Sequence, residues 1–349
     1  MQMNMKAAIL SGTKKINIES INKPVPGKNE ILIKLKTCAI CTWDQRAYNG
    51  INNVLFPFIG GHEMFAEIEE VGSGIDRAQW DVGEKAAVGL LSMCGHCHYC
   101  EIGEEGICSN HDYNKIVGGL PYPGTGGFSE YLVVEPHNLF KASKTLKNEK
   151  GAFAEPLSCV IHSVNKIDLS KAQNALVIGA GTMGILHLLL LKAKGLSVFI
   201  SEPNERRRSF AVKLGADEVI DPVNEDPVRK IKDLTDGRGA DVVFNATAVL
   251  DVAKQAIEMV APLGTVSFYS SIYPKELIEI DPNWLHKKMV SITGSANSNA
   301  RDFQNAIDMI SDGLVDPSPL ISNVIPFENI RDAYTASMMP DNYRTILKF

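Results

Sequence analysis

The chain has 349 residues, 45% hydrophobic and 22% charged, a balance that excludes a disordered tail or a fibrous repeat. At about 150 residues per domain its length accommodates roughly two domains. The formal net charge of -6, from 35 Lys and Arg against 41 Asp and Glu, lacks the basic footprint of a general nucleic-acid binder.

Residues 1–10 lack the long apolar segment and small-residue cleavage site of a signal peptide. Runs at 31–36, 65–71 and 85–90 alternate or cluster as strands do, with glycine turns at 72–74, 82–84 and 123–127. This part, residues 1–153, reads as a β-rich domain. From residue 174 the rhythm changes. The pattern predicts strands at 175–178, 197–200, 241–245 and 264–269, alternating with helices at 183–194, 204–214 and 252–260. Such alternation means a parallel sheet with helices on both faces, here over 154–295. A helix at 302–310 and a strand at 345–349 complete a C-terminal segment, 296–349. The most apolar stretch, 184–191, contains His187 and meets Lys192, far short of the ~20 apolar residues of a membrane span. A cytoplasmic protein is expected. Seven cysteines in that setting argue for metal or thiol chemistry over disulfides.

Between the first strand of the α/β part and its helix stands Gly179-Ala-Gly181-Thr182-Met183-Gly184, a G-x-G-x-x-G run. Glycine is required there for a tight turn, for close backbone approach to a pyrophosphate and for helix-on-strand packing. The helix N-terminus then offers free N–H groups to the phosphates. Glu202 lies 18 residues beyond Gly184, where a carboxylate can accept both adenosine ribose hydroxyls and would repel a 2′-phosphate. NAD is therefore expected over NADP. Arg206, Arg207 and Arg208 pull the other way, since an arginine there can take the 2′-phosphate; they also read as a solvated run opening a helix.

Cys94, Cys97, Cys100 and Cys108 form C-x2-C-x2-C-x7-C, four thiolates able to enclose one tetrahedral Zn2+. An iron–sulfur run would place the fourth Cys four residues after the third with Pro behind it, but Ser109 follows here. A nucleic-acid-binding ribbon would need a basic surround, which is missing. Four thiolates leave no position for substrate, so this site is structural. Cys41, Gly61-His62-Glu63 and Ala154-Glu155-Pro156 could supply a second, dispersed site of three ligands and one open position. Taken alone, His62 reads equally as a packed loop residue.

These motifs in this order (Cys41 with Asp44, Gly61-His-Glu, Val82-Gly-Glu, the four-cysteine loop, Gly126-Gly-Phe-Ser-Glu-Tyr, Glu155-Pro-Leu-Ser and the glycine run) resemble the zinc-dependent alcohol dehydrogenases of the medium-chain dehydrogenase/reductase superfamily. The likeness is strongest to the polyol, threonine and sugar-acid branch and covers essentially the whole chain. It implies an α/β protein: a GroES-like β-rich catalytic domain plus a Rossmann doubly wound parallel-sheet domain, with zinc, nicotinamide and substrate in the cleft between them. It also implies that Cys41, His62 and Glu155 hold a catalytic zinc, that Glu63 can enter the ligand set, and that Asp44 holds the far nitrogen of His62. Two zinc ions per chain, NAD, a small alcohol or carbonyl substrate and a homodimer or homotetramer follow, with a strand near 264–269 or after it extending across subunits. Glu in place of the Cys common in simple-alcohol branches points to polyhydroxylated or amino-acid-like substrates.

The expected chemistry is hydride transfer between an alcohol and NAD. Zinc lowers the pKa of water from 15.7 to about 7; a like shift for an alcohol, ~8 units, is worth roughly 11 kcal/mol. The family relays the proton through Ser or Thr two residues after the ligand Cys, often with His five after it. Trp43 and Arg46 occupy those positions, and neither accepts a proton. Trp43 then reads as a packing variant or, with Arg46, as a shaper of the pocket, Arg46 gripping a carboxylate or phosphate. Three functions compete: a polyol or sugar-acid dehydrogenase, an L-threonine or simple-alcohol dehydrogenase, and an inert nucleotide-binding redox sensor.

Overall fold

The computed structural model describes residues 3–272 and 276–349. The chain divides into two units, Met1–Ser158 with Ser298–Phe349, and Cys159–Asn297.

The first unit turns its short apolar runs into antiparallel strands. β1 (Asn4–Gly12) and β2 (Lys15–Asn22) pair as a hairpin. β3 (Ile31–Ile40) is followed by helix α1 (Thr42–Tyr48), β4 (Glu63–Val71) and β5 (Lys85–Val88). Then come the short helix α2 (His98–Glu101), β6 (Tyr131–Val134), β7 (Leu139–Lys141), α3 (Asn148–Gly151) and α4 (Ala154–Asn165). The predicted strand at 85–90 stops at Val88, because Leu90 turns to φ +60°. Ile31, Ile33, Leu35, Phe58, Phe128 and Leu132 sit in the core of this unit.

The second unit takes up the chain within α4, at Cys159, and its first strand is β8 (Asn174–Ile178), buried along its whole length, as a parallel strand covered on both faces must be. In chain order follow α5 (Thr182–Ala193), β9 (Ser197–Ser201), α6 (Glu205–Lys213), β10 (Glu218–Ile220), α7 (Pro227–Asp233) and β11 (Ala240–Asn245). The unit closes with α8 (Leu250–Glu258), β12 (Val260–Phe268), α9 (Pro282–Lys288) and β13 (Ser291–Gly294). All six strands are parallel in the order β10-β9-β8-β11-β12-β13, the doubly wound Rossmann arrangement. Residues 260–263 belong to a strand, contrary to the helix predicted through 260: Ala240 pairs with Val260 and the register then shifts to Val242–Thr265. β12 has a neighbour on each side, so among the described residues the edges of this sheet are β10 and β13.

The chain then returns to the first unit. α10 (Ala300–Ser311), β14 (Ile321–Pro326), α11 (Ile330–Ser337) and β15 (Arg344–Lys348) complete it. β15 pairs antiparallel with β3, whose other side carries β4 along most of its length, in the seven-stranded order β14-β15-β3-β4-β5-β7 with β6 also on β3. Among the described residues, no helix is long and apolar enough to cross a membrane.

Candidate metal centres and dinucleotide site

Strand register assembles the dispersed centre. Ala39 on β3 faces Glu63 on β4, and Ile40 faces Thr345 on β15. Cys41, leaving β3, is therefore flanked by Glu63 and by Arg344. The Cys41 sulfur, a His62 ring nitrogen and a Glu63 carboxylate oxygen lie within 4.8 Å of one another. Gly61 admits His62 to this corner: its φ is +85°, and a Cβ there would strike the Phe128 ring.

Asp44 ties the two ligand segments together. One carboxylate oxygen accepts the Cys41 N–H at 3.1 Å and the other the Gly61 N–H at 3.0 Å. His62 Nδ1 stands 3.5 Å from Asp44 Oδ2 without a hydrogen bond, so the contact expected from the resemblance is one of charge. Burial works against a protonated His62, but Asp44 and Cys41 overcome it and hold the imidazole well above its usual pKa. Burial pushes the Cys41 thiol up, helped by Glu63.

Glu63 is fully buried and bound by Arg344 through both carboxylate oxygens, one of them at 2.8 Å from Nε. Arg344 Nη2 also lies 3.9 Å from Cys41 Sγ. Burial disfavours the Arg344 charge, yet Glu63 and Cys41 raise its pKa above the ordinary value. The sequence reading missed this residue. Its signal was a charge opening the apolar strand Arg344-Thr-Ile-Leu. Glu155 stands outside the three-donor group, in the first turn of α4, and its charge acts on His62, Glu63 and Arg344. Trp43 is half-buried on α1 with its ring edge-on to His62, 5.9 Å between centroids; Arg46 lies one turn further along the same helix.

The four cysteines form a second group. Their sulfurs all lie within 4.8 Å, with Cys97–Cys100 at 3.6 Å and Cys97–Cys108 at 3.9 Å. The His96 N–H and the Asn110 side chain draw the Cys94 thiol down to about 5, whereas burial and neighbouring thiols push Cys100 up to about 12. Four sulfurs at these spacings suit one tetrahedral zinc.

In the second unit, Gly179 has φ +100° and a Cβ on Gly184 would strike Gly179 O, so both positions require glycine. Gly181 stands at the N-cap of α5 with no side chain to bond the helix end, the kind of terminus that suits a phosphate. Glu202 reaches this loop: its carboxylate accepts the Ala180 N–H at 2.7 Å and the Asn204 N–H at 2.9 Å. Arg207 sits at the same turn, its Nη1 3.9 Å from where a Gly181 Cβ would stand. Arg208 instead donates to the Glu202 and Pro203 carbonyls and pairs with Asp221 at 2.7 Å, a structural role.

Residues 27–144 match the alcohol dehydrogenase GroES-like domain, and residues 182–312 match the zinc-binding dehydrogenase domain. The chain belongs to the zinc-type alcohol dehydrogenase family, a class of oxidoreductases. It is 31% identical over 335 residues to 2-dehydro-3-deoxy-L-galactonate 5-dehydrogenase of Pseudoalteromonas atlantica, covering 95% of this chain and 94% of that one. It is also 31% identical to L-threonine 3-dehydrogenase of Pyrococcus horikoshii, covering 87% and 86%. A zinc-binding dehydrogenase of Sinorhizobium meliloti 1021, solved with NADP bound, superposes with TM-score 0.90 at 26% identity and full coverage of both chains.

Proposed function

We propose that this chain is an NAD-linked zinc dehydrogenase that oxidises a secondary alcohol of a polyol, sugar or sugar acid, or reduces the matching ketone. The observation that carries the reading is the convergence of thiol, imidazole and carboxylate at Cys41, His62 and Glu63 beside a separate, complete four-thiolate set. That donor chemistry fits two zinc ions per chain, one catalytic and one structural.

Cys41 and His62 would hold the catalytic ion, with Glu155 as the third donor. Glu63, neutralised by Arg344, stands in reserve as a fourth. When bound, zinc supplies the Lewis acidity that lets an alcohol ionise near neutral pH. Asp44 fixes the spacing of both ligand segments through the Cys41 and Gly61 N–H groups. Trp43 has only an N–H donor and cannot accept the alcohol proton, so proton exit falls to water or Glu155. The open end of α5 would take the pyrophosphate, and Glu202 the adenosine ribose hydroxyls; the buried carboxylate is what favours NAD, although the Sinorhizobium relative binds NADP. Arg46 would grip an acidic group of the substrate.

The family and the open β13 edge favour a homodimer or homotetramer. Seven free thiols suit a reducing, cytoplasmic setting. A second reading, oxidation of L-threonine, rests on the archaeal relative. A panel of polyols, sugar acids, L-threonine and simple alcohols, followed at the NADH absorbance with NAD+ and NADP+, decides between them. Turnover of sugar acids with NAD+, weakened selectively in Arg46→Ala, is the expected result. Equal losses on neutral and anionic substrates would overturn the role of Arg46, and turnover of L-threonine alone would overturn the substrate class.

A further inference from the structure

Around Trp43 the described residues form a chain of rings that starts at His62 and runs on through side chains the scheme above does not use. Trp43 meets His62 edge-on at 5.9 Å, Phe58 at 6.1 Å and Tyr113 at 4.6 Å, the Tyr113 ring inclined by 38°. His111 stands at a right angle to Tyr113, with centroids 4.2 Å apart. Both residues come from the segment that directly follows Cys108.

That segment is braced at both ends. Asn110 donates to Cys94 Sγ at 3.4 Å, and Asn114 accepts the Leu55 N–H at 2.8 Å. Asn52, on the loop that includes Leu55, donates to the Trp43 carbonyl at 3.0 Å. Phe58 is fully buried, whereas Trp43, His111 and Tyr113 are half-buried. The rings beside His62 thus keep exposed surface while their backbones are held in place.

We propose that Trp43 and Tyr113 form an aromatic wall of the substrate site that packs on the C–H face of a polyol- or sugar-sized carbon skeleton, and that Tyr113 is a specificity-determining residue delivered by the four-cysteine lobe. The inference rests on the alcohol-dehydrogenase reading of the Cys41 and His62 centre and names what that centre selects. Aromatic faces gain from covered hydrocarbon area, and indole cannot accept a bond from a hydroxyl. A fully covered methylene would strengthen binding by about fourfold, and each further carbon laid against the wall on one face gains a part of that. A short alcohol reacting beside His62 leaves the wall uncovered and forgoes that gain.

Two readouts test the wall. The first is the ratio of kcat/KM for sorbitol to that for 2-propanol. The second is a sorbitol titration of the NADH-loaded enzyme, which cannot turn over, followed by tryptophan emission. Trp43 is one of three tryptophans, so Trp43→Phe assigns the signal. Sorbitol is expected to change the emission of the wild type and not of Trp43→Phe. Tyr113→Ala should lower the kcat/KM ratio about tenfold, mainly through the KM for sorbitol, and weaken the emission titration equally. Tyr113→Phe should restore both. Equal losses on the two alcohols, failure of Tyr113→Phe to restore the ratio, or an emission change with NADH but none with sorbitol would overturn the wall. Sorbitol binding without turnover of any alcohol would instead sink the dehydrogenase reading and leave the wall standing.

Discussion

Four cysteines within fifteen residues make one donor group of this chain; Cys41, His62 and Glu63 make the other from two separate segments, completed by an arginine 303 residues from Cys41. The first needs only a short loop, with glycines at 95 and 103 in the left-handed region to turn it. The second exists only when β15 returns to pair with β3 and when Asp44 bonds the Cys41 and Gly61 backbones together. A local group of four like ligands closes around its ion, whereas a dispersed group of unlike ligands can leave a position for substrate. On the proposed reading, the difference in construction is the difference between a structural and a catalytic ion.

The comparison can be broken by variants aimed at the dispersed group. The largest effect is expected from His62→Ala, which should reduce kcat/KM roughly a thousandfold while the thermal midpoint stays close to wild type. Unchanged turnover would remove His62 from the chemistry. Arg344→Met comes next. It leaves the Glu63 carboxylate buried and unpaired, which should destabilise the fold by about 3–5 kcal/mol in denaturant titrations. The double variant Glu63→Gln with Arg344→Met should recover much of that loss, and no recovery would show that the pair is not what Arg344 stabilises. Asp44→Asn keeps the shape but removes the charge, and should weaken zinc binding or turnover roughly 10- to 100-fold. A loss below twofold would make Asp44 a cap of α1 and nothing more.

The smallest effect sharpens the contrast between the units. His187 on α5 is fully buried between Phe244 and Tyr269, its Nδ1 bonded to the Met183 carbonyl and its Nε2 without a partner. Burial lowers its pKa to about 4, against about 6.5 in the unfolded chain. The unfolded state therefore binds the proton first, and stability is lost as pH falls from 6.5 towards 4. Between pH 7 and pH 5 the wild type should lose about 2 kcal/mol more than His187→Phe. Parallel pH profiles would show that this ring does not govern the acid sensitivity of the nucleotide-binding unit.

Legibility from the sequence followed the same division. The four-cysteine spacing, the glycine run and Glu202 are local patterns with a physical reason, and the structure groups them as the spacing implies. Cys41 and His62 were found through the resemblance, because neither stands in a local pattern of its own. Glu63 entered as a secondary ligand, and its carboxylate lies within 4.8 Å of both, while Glu155, in the first turn of α4, acts on His62 by its charge. Arg344 was missed because its partner is set by strand register between distant segments, the sequence showing only a charge at the head of an apolar strand. Val260 was read as the end of a helix and 261–263 were assigned to no element, because an apolar run carries no mark of the register shift that makes it a strand.

The most direct test of the account is zinc counted per chain by atomic emission in the wild type, Cys41→Ala and Cys100→Ser. The account predicts two ions in the wild type. Cys41→Ala should keep one ion and a near-native thermal midpoint without activity; Cys100→Ser should lose the other and melt earlier. A wild type holding a single ion, or a Cys41→Ala protein that keeps both ions and its turnover, would contradict it.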